Sequence, residues 1–269
     1  MSGWIGRERR MNFRPCIDIH NGRVKQIVGG SLKDAGDQAD ENFVSRLCAA
    51  DYARLYREKG LSGGHVILLN PVGSEYYEED VRQAEAALRE YPGGLQVGGG
   101  ITCDNAIHFL DAGASHVIVT SYVFSGGEIH FERLEKLSQM VGKEHLVLDL
   151  SCRERNGIYY IVTDRWQKFT KQPLDETFMS RLSGYCDEFL VHGVNVEGTG
   201  GGIDRGLVEI LVKNTEIPIT YAGGIGRMED LELLDEMSRG RIHFTVGSAL
   251  DLFGGTLKFD EIITKYNKL

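Results

Sequence analysis

Two aspartates sit in near-identical apolar settings, Ile17-Asp18-Ile19 and Leu148-Asp149-Leu150, 131 residues apart. A carboxylate among aliphatic side chains loses hydration, and its pKa rises toward the range where it can take or give a proton near neutral pH. For one Asp alone, a capping role or an arginine partner is the competing reading. A repeated pair points instead to an acid and a base working on one substrate from opposite sides.

Small residues repeat in the same way. Gly98-Gly99-Gly100 and Gly223-Gly224 are followed by Thr120-Ser121 and Gly247-Ser248 respectively. Glycine lets backbone N–H groups approach phosphate oxygens with no Cβ in the way. Gly99, Gly100, Thr120 and Ser121 are therefore one expected phosphate site, and Gly223, Gly224, Gly247 and Ser248 a second. Two sites imply a small, bisphosphorylated substrate. Among the eight histidines, none has HExxH or similar ligand spacing, and no metal is expected. His192 stands out because it falls at a strand end, where it would meet substrate. Trp166, in the polar stretch Thr163-Asp-Arg-Trp-Gln-Lys168, is read as an aromatic platform for a ligand ring, with packing on a rim as the alternative. Gly198-Thr-Gly-Gly-Gly202 lacks a P-loop lysine and reads as a loop able to close over a substrate.

Such side chains need a scaffold, and the apolar runs supply one. Strands are expected near Phe13–Ile19, His65–Leu69, Leu95–Gly98, His116–Ser121, Leu146–Cys152, Glu188–Val194, Pro218–Gly223 and Ile242–Gly247. Near-continuous apolar runs suit parallel strands covered on both faces. Between them lie helical stripes such as Cys48/Tyr52/Leu55/Tyr56, Tyr77/Val81/Ala84/Leu88 and Leu231/Leu234/Met237. Eight βα units in 269 residues predict an α/β fold, a single-domain (β/α)8 TIM barrel spanning the chain. An open doubly wound sheet is disfavoured, because neither GxGxxG nor GxxxxGK[ST] occurs. The strand spacing, the Asp pair, the glycine pair and Val119-Thr-Ser121 with Val246-Gly-Ser248 all recur at one approximate period. The barrel is thus expected to be two half-barrels, about 13–140 and 141–260.

Composition narrows the partners. Glycine is 34 of 269 residues against only five prolines, about twice the usual glycine share of roughly 7%. That imbalance argues for tight turns rather than disorder. A net charge of −9 with no basic run disfavours nucleic acid. No apolar run approaches the ~18 residues a membrane span needs. The first ten residues show no apolar leader. Five cysteines with no CxxC pair suit a reducing compartment. A cytoplasmic monomer is expected.

Several longer motifs carry a family resemblance: Arg14-Pro-Cys-Ile-Asp-Ile-His-Asn-Gly-Arg-Val-Lys-Gln26, Leu95-Gln-Val-Gly-Gly-Gly-Ile101, Leu148-Asp-Leu-Ser151 and Tyr221-Ala-Gly-Gly-Ile225. From about residue 13 to 255 the chain resembles the histidine-biosynthesis isomerases that act on ProFAR, a phosphoribosylformimino-aminoimidazole-carboxamide ribonucleotide. The eukaryotic-type branch is matched through Thr163–Lys168, Glu188-Phe-Leu-Val-His-Gly193 and Gly247-Ser-Ala-Leu-Asp-Leu-Phe-Gly-Gly255. The resemblance implies an Amadori rearrangement of an aminoaldose to an aminoketose, without metal or cofactor. It also implies Asp149 as general acid, Asp18 as general base, and Trp166 stacked on substrate.

Three positions depart from the bacterial pattern. Gly193 replaces a frequent Thr, Glu197-Gly198-Thr199 stands for Asp-Gly-Thr, and Thr102-Cys103 follows the first glycine turn where an Arg is frequent. The related cyclase needs a lysine eight residues after the first Asp. Here that position is Gln26, with Lys25 out of step. Metal-dependent pentose-phosphate epimerases and indole-glycerol-phosphate synthases would want His/Asp clusters or Lys/Glu pairs that are not evident. A regulatory barrel would have little use for both aspartates and both glycine sites.

Overall fold

The apolar, β-branched runs form the strands of a closed barrel, named here β1 (Cys16–His20), β2 (Gly64–Leu68), β3 (Leu95–Gly98), β4 (Val117–Val119), β5 (Leu146–Arg155), β6 (Glu188–Gly193), β7 (Ile219–Ala222) and β8 (Ile242–Phe244). The computed structural model describes residues 10–27, 41–164, 166–196, 201–213 and 216–267. Each strand is hydrogen-bonded in parallel to its neighbour in chain order. The two edges meet where Phe13 bridges Phe244. Arg14 N donates to Phe244 O at 2.8 Å, and Phe244 N to Asn12 O at 3.1 Å. These bonds join the first and last of the eight barrel strands, so neither is left as an edge of the parallel sheet.

Around the barrel lie α1 (Ala49–Glu58), α2 (Tyr77–Glu90), α3 (Ala106–Asp111), α4 (Phe131–Val141), α5 (Glu176–Ser183), α6 (Arg205–Leu211), α7 (Met228–Ser238) and α8 (Phe259–Tyr266). The apolar stripes read from the sequence fall on α1, α2 and α7, and they turn inward: Tyr52 and Tyr56, Ala84 and Leu88, and Leu231 and Leu234 are buried. Each fully buried large apolar side chain contributes roughly 1.5–3 kcal/mol. Asp175 and Asp204 cap α5 and α6, accepting from Phe178 N and Leu207 N; such a cap is worth about 1 kcal/mol.

Inside the barrel, polar and apolar residues are layered. At the amino-terminal end Arg14, Gln96 and Thr220 all hold Glu188: an Arg14 ion pair, Gln96 Nε2 at 2.8 Å and Thr220 Oγ1 at 2.6 Å. Burial alone would raise the Glu188 carboxyl pKa, but Arg14 and these donors hold it below the usual glutamate range. Burial also pushes His65 down to about 4 and His243 to about 3, so both are neutral at pH 7. Ile118, Val147 and Leu190, with Ile67, form an apolar layer above. Asp18 pairs with Ile67, which pairs with Gly98 at the end of β3, and Asp149 is one residue beyond the Leu148 that pairs with Val119 at the end of β4, so both stand at the level where neighbouring strands end.

The half-barrel repeat is written in the backbone. Gly99 and Gly100 have φ of 97° and 72°, and Gly223 and Gly224 have 110° and 74°. These left-handed values follow strands 3 and 7, four strands apart. Other features were not expected from the apolar runs. β5 continues past the rim to Arg155 and forms an antiparallel flap with Ile158–Thr163 and Lys168–Pro173. Arg23–Ile27 folds back on β1 and then pairs with Glu41–Val44. Arg23–Ile27 and Lys168–Pro173 mix polar with apolar residues and give little strand signal, whereas Ile158-Tyr-Tyr-Ile-Val-Thr163 is an apolar run with Tyr159, Ile161 and Val162 buried.

Candidate active site

Parallel strands direct all their carboxyl ends to one mouth, so both aspartates reach the same end of the barrel. Asp149 is the more elaborately held. Its Oδ2 accepts from Thr120 Oγ1 at 3.1 Å, while His192 Nδ1 lies 2.9 Å from its Oδ1. Thr120 follows β4 and His192 is near the end of β6, and these strands flank β5. His192 and Asp149 are 25% and 15% exposed, which leaves the pair accessible from the mouth without full hydration. An imidazole nitrogen at this distance from a carboxylate oxygen can hold or relay the proton that an acid catalyst must deliver. Thr120, expected at a phosphate, thus directs its hydroxyl to Asp149, while Ser121 beside it is exposed.

Asp18 accepts at Oδ2 from Gln26 Nε2 at 2.9 Å. The sequence distinguished positions 25 and 26, and the structure turns Gln26 toward the carboxylate. Both Lys25 and Gln26 are buried. The absence of a lysine at position 26 leaves Asp18 facing a neutral amide.

Gly193, the departure from the bacterial Thr, has a steric cause. A Cβ there would stand 2.8 Å from the Tyr221 hydroxyl. That hydroxyl accepts from Asp204 N at 2.9 Å, and Tyr159 hydrogen-bonds to the Asp204 carboxylate. The space of a residue-193 side chain is taken by this buried network, and Thr120 and His192 supply the Asp149 contacts. Sequence reading had no signal for it, because its members are scattered over four elements.

Trp166 lies at the tip of the flap, where Asp164 and Trp166 have left-handed φ of 52° and 68°. For non-glycine residues such conformations cost on the order of 1–3 kcal/mol. Trp166 Nε1 donates to Ser151 Oγ at 3.1 Å, and Ser151 is two residues beyond Asp149 on the same face of β5. The indole is therefore tethered next to the acid. The loop after β4 supports the flap through Gly126 N to Asp164 Oδ2 at 2.9 Å and Gly127 N to Thr163 Oγ1 at 2.8 Å.

Gly100, Ser121, Gly224 and Ser248 donate their backbone N–H to no described residue. A Cβ at Gly99 would overlap the Leu68 carbonyl, and one at Gly224 the Gly202 carbonyl. Gly202 N in turn donates to Gly224 O at 3.1 Å, joining the turns after β6 and β7. Glu197, Gly198 and Thr199 lie outside the described residues. Among the described residues, no group of three or more His, Cys, Asp or Glu side chains is placed to hold a metal ion.

The class is thus a (β/α)8 barrel of two like halves, each bringing one carboxylate and one glycine turn to a common mouth. The chain belongs to the histidine biosynthesis protein family, whose model matches residues 13–257. It is 52% identical to a Medicago truncatula protein over 96% of this chain and 82% of that one. Identity to a Neurospora crassa protein is 46%, covering 90% and 93% of the two chains. For a Saccharomyces cerevisiae protein it is 42%, covering 93% and 95%. All three relatives are named 1-(5-phosphoribosyl)-5-((5-phosphoribosylamino)methylideneamino)imidazole-4-carboxamide isomerase, the Medicago one chloroplastic. That last name does not share the cytoplasmic location expected for this chain. Among the described residues, no helix is long and apolar enough to cross a membrane.

Proposed function

We propose that this chain is an aldose–ketose isomerase that converts ProFAR to its phosphoribulosyl isomer, the fourth step of histidine biosynthesis, by an Amadori rearrangement without metal or cofactor. The observation that supports this most is the pairing of two carboxylates at one barrel mouth with different neighbours, Thr120 and His192 at Asp149 and Gln26 at Asp18. The names of the relatives, read together with that site, point to the substrate.

The Asp149–His192 unit protonates the ribose ring oxygen as the amine nitrogen on C1′ pushes its lone pair inward, breaking the C1′–O bond and leaving a protonated Schiff base. Asp18 removes the C2′ proton, and the C2′–H electrons form the C1′=C2′ bond while the imine π electrons return to nitrogen. Loss of the C2′ hydroxyl proton and protonation of C1′ give the ketone. Atoms and electrons balance, so no outside oxidant or reductant is needed. The turns at Gly99–Gly100 with Ser121 and at Gly223–Gly224 with Gly247–Ser248 bind one phosphate each, and Trp166 stacks on the substrate. Holding both phosphates fixes the ribose between the carboxylates, and such positioning is a large part of the rate enhancement.

Incubating the purified chain with ProFAR in EDTA, followed spectrophotometrically, tests this. Conversion to the ribulosyl isomer is expected. Unchanged substrate would overturn the reading.

A further inference from the structure

Gln26 has no part in the proton transfers above, yet its place is tightly determined. It is 4% exposed, and its amide has close neighbours on both sides. Nε2 donates to Asp18 Oδ2 at 2.9 Å and lies 3.9 Å from Cys16 Sγ. On the other side, a Cβ at Gly247 would come within 2.6 Å of Oε1, so the amide rests against the turn after β8.

The strand that carries Gln26 is anchored as well. Its pairing with β1 covers Ile19↔Val24 and His20↔Arg23, after which it pairs with Glu41–Val44 through Gln26↔Phe43. The intervening turn, Asn21-Gly22, has left-handed φ of 51° and 72°. Asn21 N donates to Asn70 Oδ1 and Asn70 Nδ2 to Asn21 Oδ1, both at 2.8 Å, and Gly22 N donates to Asp80 Oδ1 at 2.7 Å.

We infer that Gln26 is a positioning residue that orients Asp18 and sets its strength as a base; the inference rests on Asp18 being the base. An amide donor stabilises the ionised carboxylate and fixes the rotation of its two oxygens. Being neutral, it does so without the full positive charge a lysine would add, which would make the carboxylate a weaker base. Contact with Gly247 ties that orientation to the turn expected to hold a phosphate.

The test is the pH dependence of kcat/KM for ProFAR. Gln26→Met keeps the length and loses the donor. Its acid limb should move up by about one pH unit and kcat should fall about tenfold, the scale of one hydrogen bond to a charged group. Gln26→Lys should move the limb down. Gly247→Ala is an independent probe should either variant misfold, because Gly247 does not have a left-handed φ and its new methyl presses on the Gln26 amide. It should shift the same limb, with a rise in KM from the phosphate turn.

Acid limbs that stay within about 0.2 units of wild type, with Asp18→Asn inactive, would overturn the positioning role and leave the base assignment standing. Normal turnover by Asp18→Asn would instead remove the base assignment and this inference with it.

Discussion

The double hold on Asp149 leads to a quantitative expectation. Thr120→Val replaces a hydroxyl by a methyl of similar size and removes the donor 3.1 Å from Oδ2. A hydrogen bond to a charged group is worth roughly 1.5–3 kcal/mol. At 15% exposure solvent replaces little of that bond, so losing the hold on the carboxylate should lower kcat about 10- to 10²-fold. His192→Gln keeps a donor beside Oδ1 but removes the imidazole, and kcat should fall about 10²-fold. Both partners hold one carboxylate, so the double mutant should lose less than the sum of the two single losses. Steady-state rates at saturating ProFAR provide the assay, with KM for ProFAR little changed in the single mutants. Near-normal kcat in both single mutants, or strictly additive losses in the double mutant, would refute the idea that Thr120 and His192 hold Asp149 as the acid.

Two further outcomes follow from buried geometry. Gly224→Ala combines a left-handed φ of 74° with a Cβ overlapping the Gly202 carbonyl. It should lower stability by roughly 1–3 kcal/mol in chemical denaturation and weaken inorganic-phosphate protection more than a surface alanine substitution does. Asp80 is raised by burial to about 6, against the opposing effect of the Gly22 and Asn70 backbone donors. A raised folded-state pKa contributes stability that is fully present below the unfolded value near ~3.9 and is lost as pH rises through about 6. Tm should therefore decline across that window, and Asp80→Asn, which can still accept from Gly22, should flatten the decline. An unchanged slope in the mutant would rule Asp80 out as its source.

How much of this was legible in the sequence depended on how local each signal is. Apolar runs located the eight barrel strands to within a few residues, because strands covered on both faces must be apolar throughout. Phe13 extends the apolar run that predicts β1, whereas it forms the bridge to Phe244 that closes the barrel. The glycine turns were legible because a left-handed backbone after a buried strand leaves little choice of residue. Contacts between distant strands were not. Nothing in Val119-Thr-Ser121 indicates that Thr120 bonds Asp149 rather than facing a phosphate. The Tyr159–Asp204–Tyr221 network that fills the space beside Gly193 joins positions with no common spacing. In the flap bearing Trp166, Ile158-Tyr-Tyr-Ile-Val-Thr163 is apolar enough to signal a strand, but nothing local shows that it pairs antiparallel with an extended β5 rather than joining the barrel.

If two carboxylates transfer protons on one bound sugar, removing either charge must stop the chemistry without stopping binding. The measurement is kcat for ProFAR isomerisation by Asp18→Asn and Asp149→Asn, each nearly isosteric with wild type, alongside their Kd for the substrate. Each mutant should retain binding while kcat falls at least about 10²-fold. Turnover near the wild-type rate in either one would contradict the assignment of that aspartate.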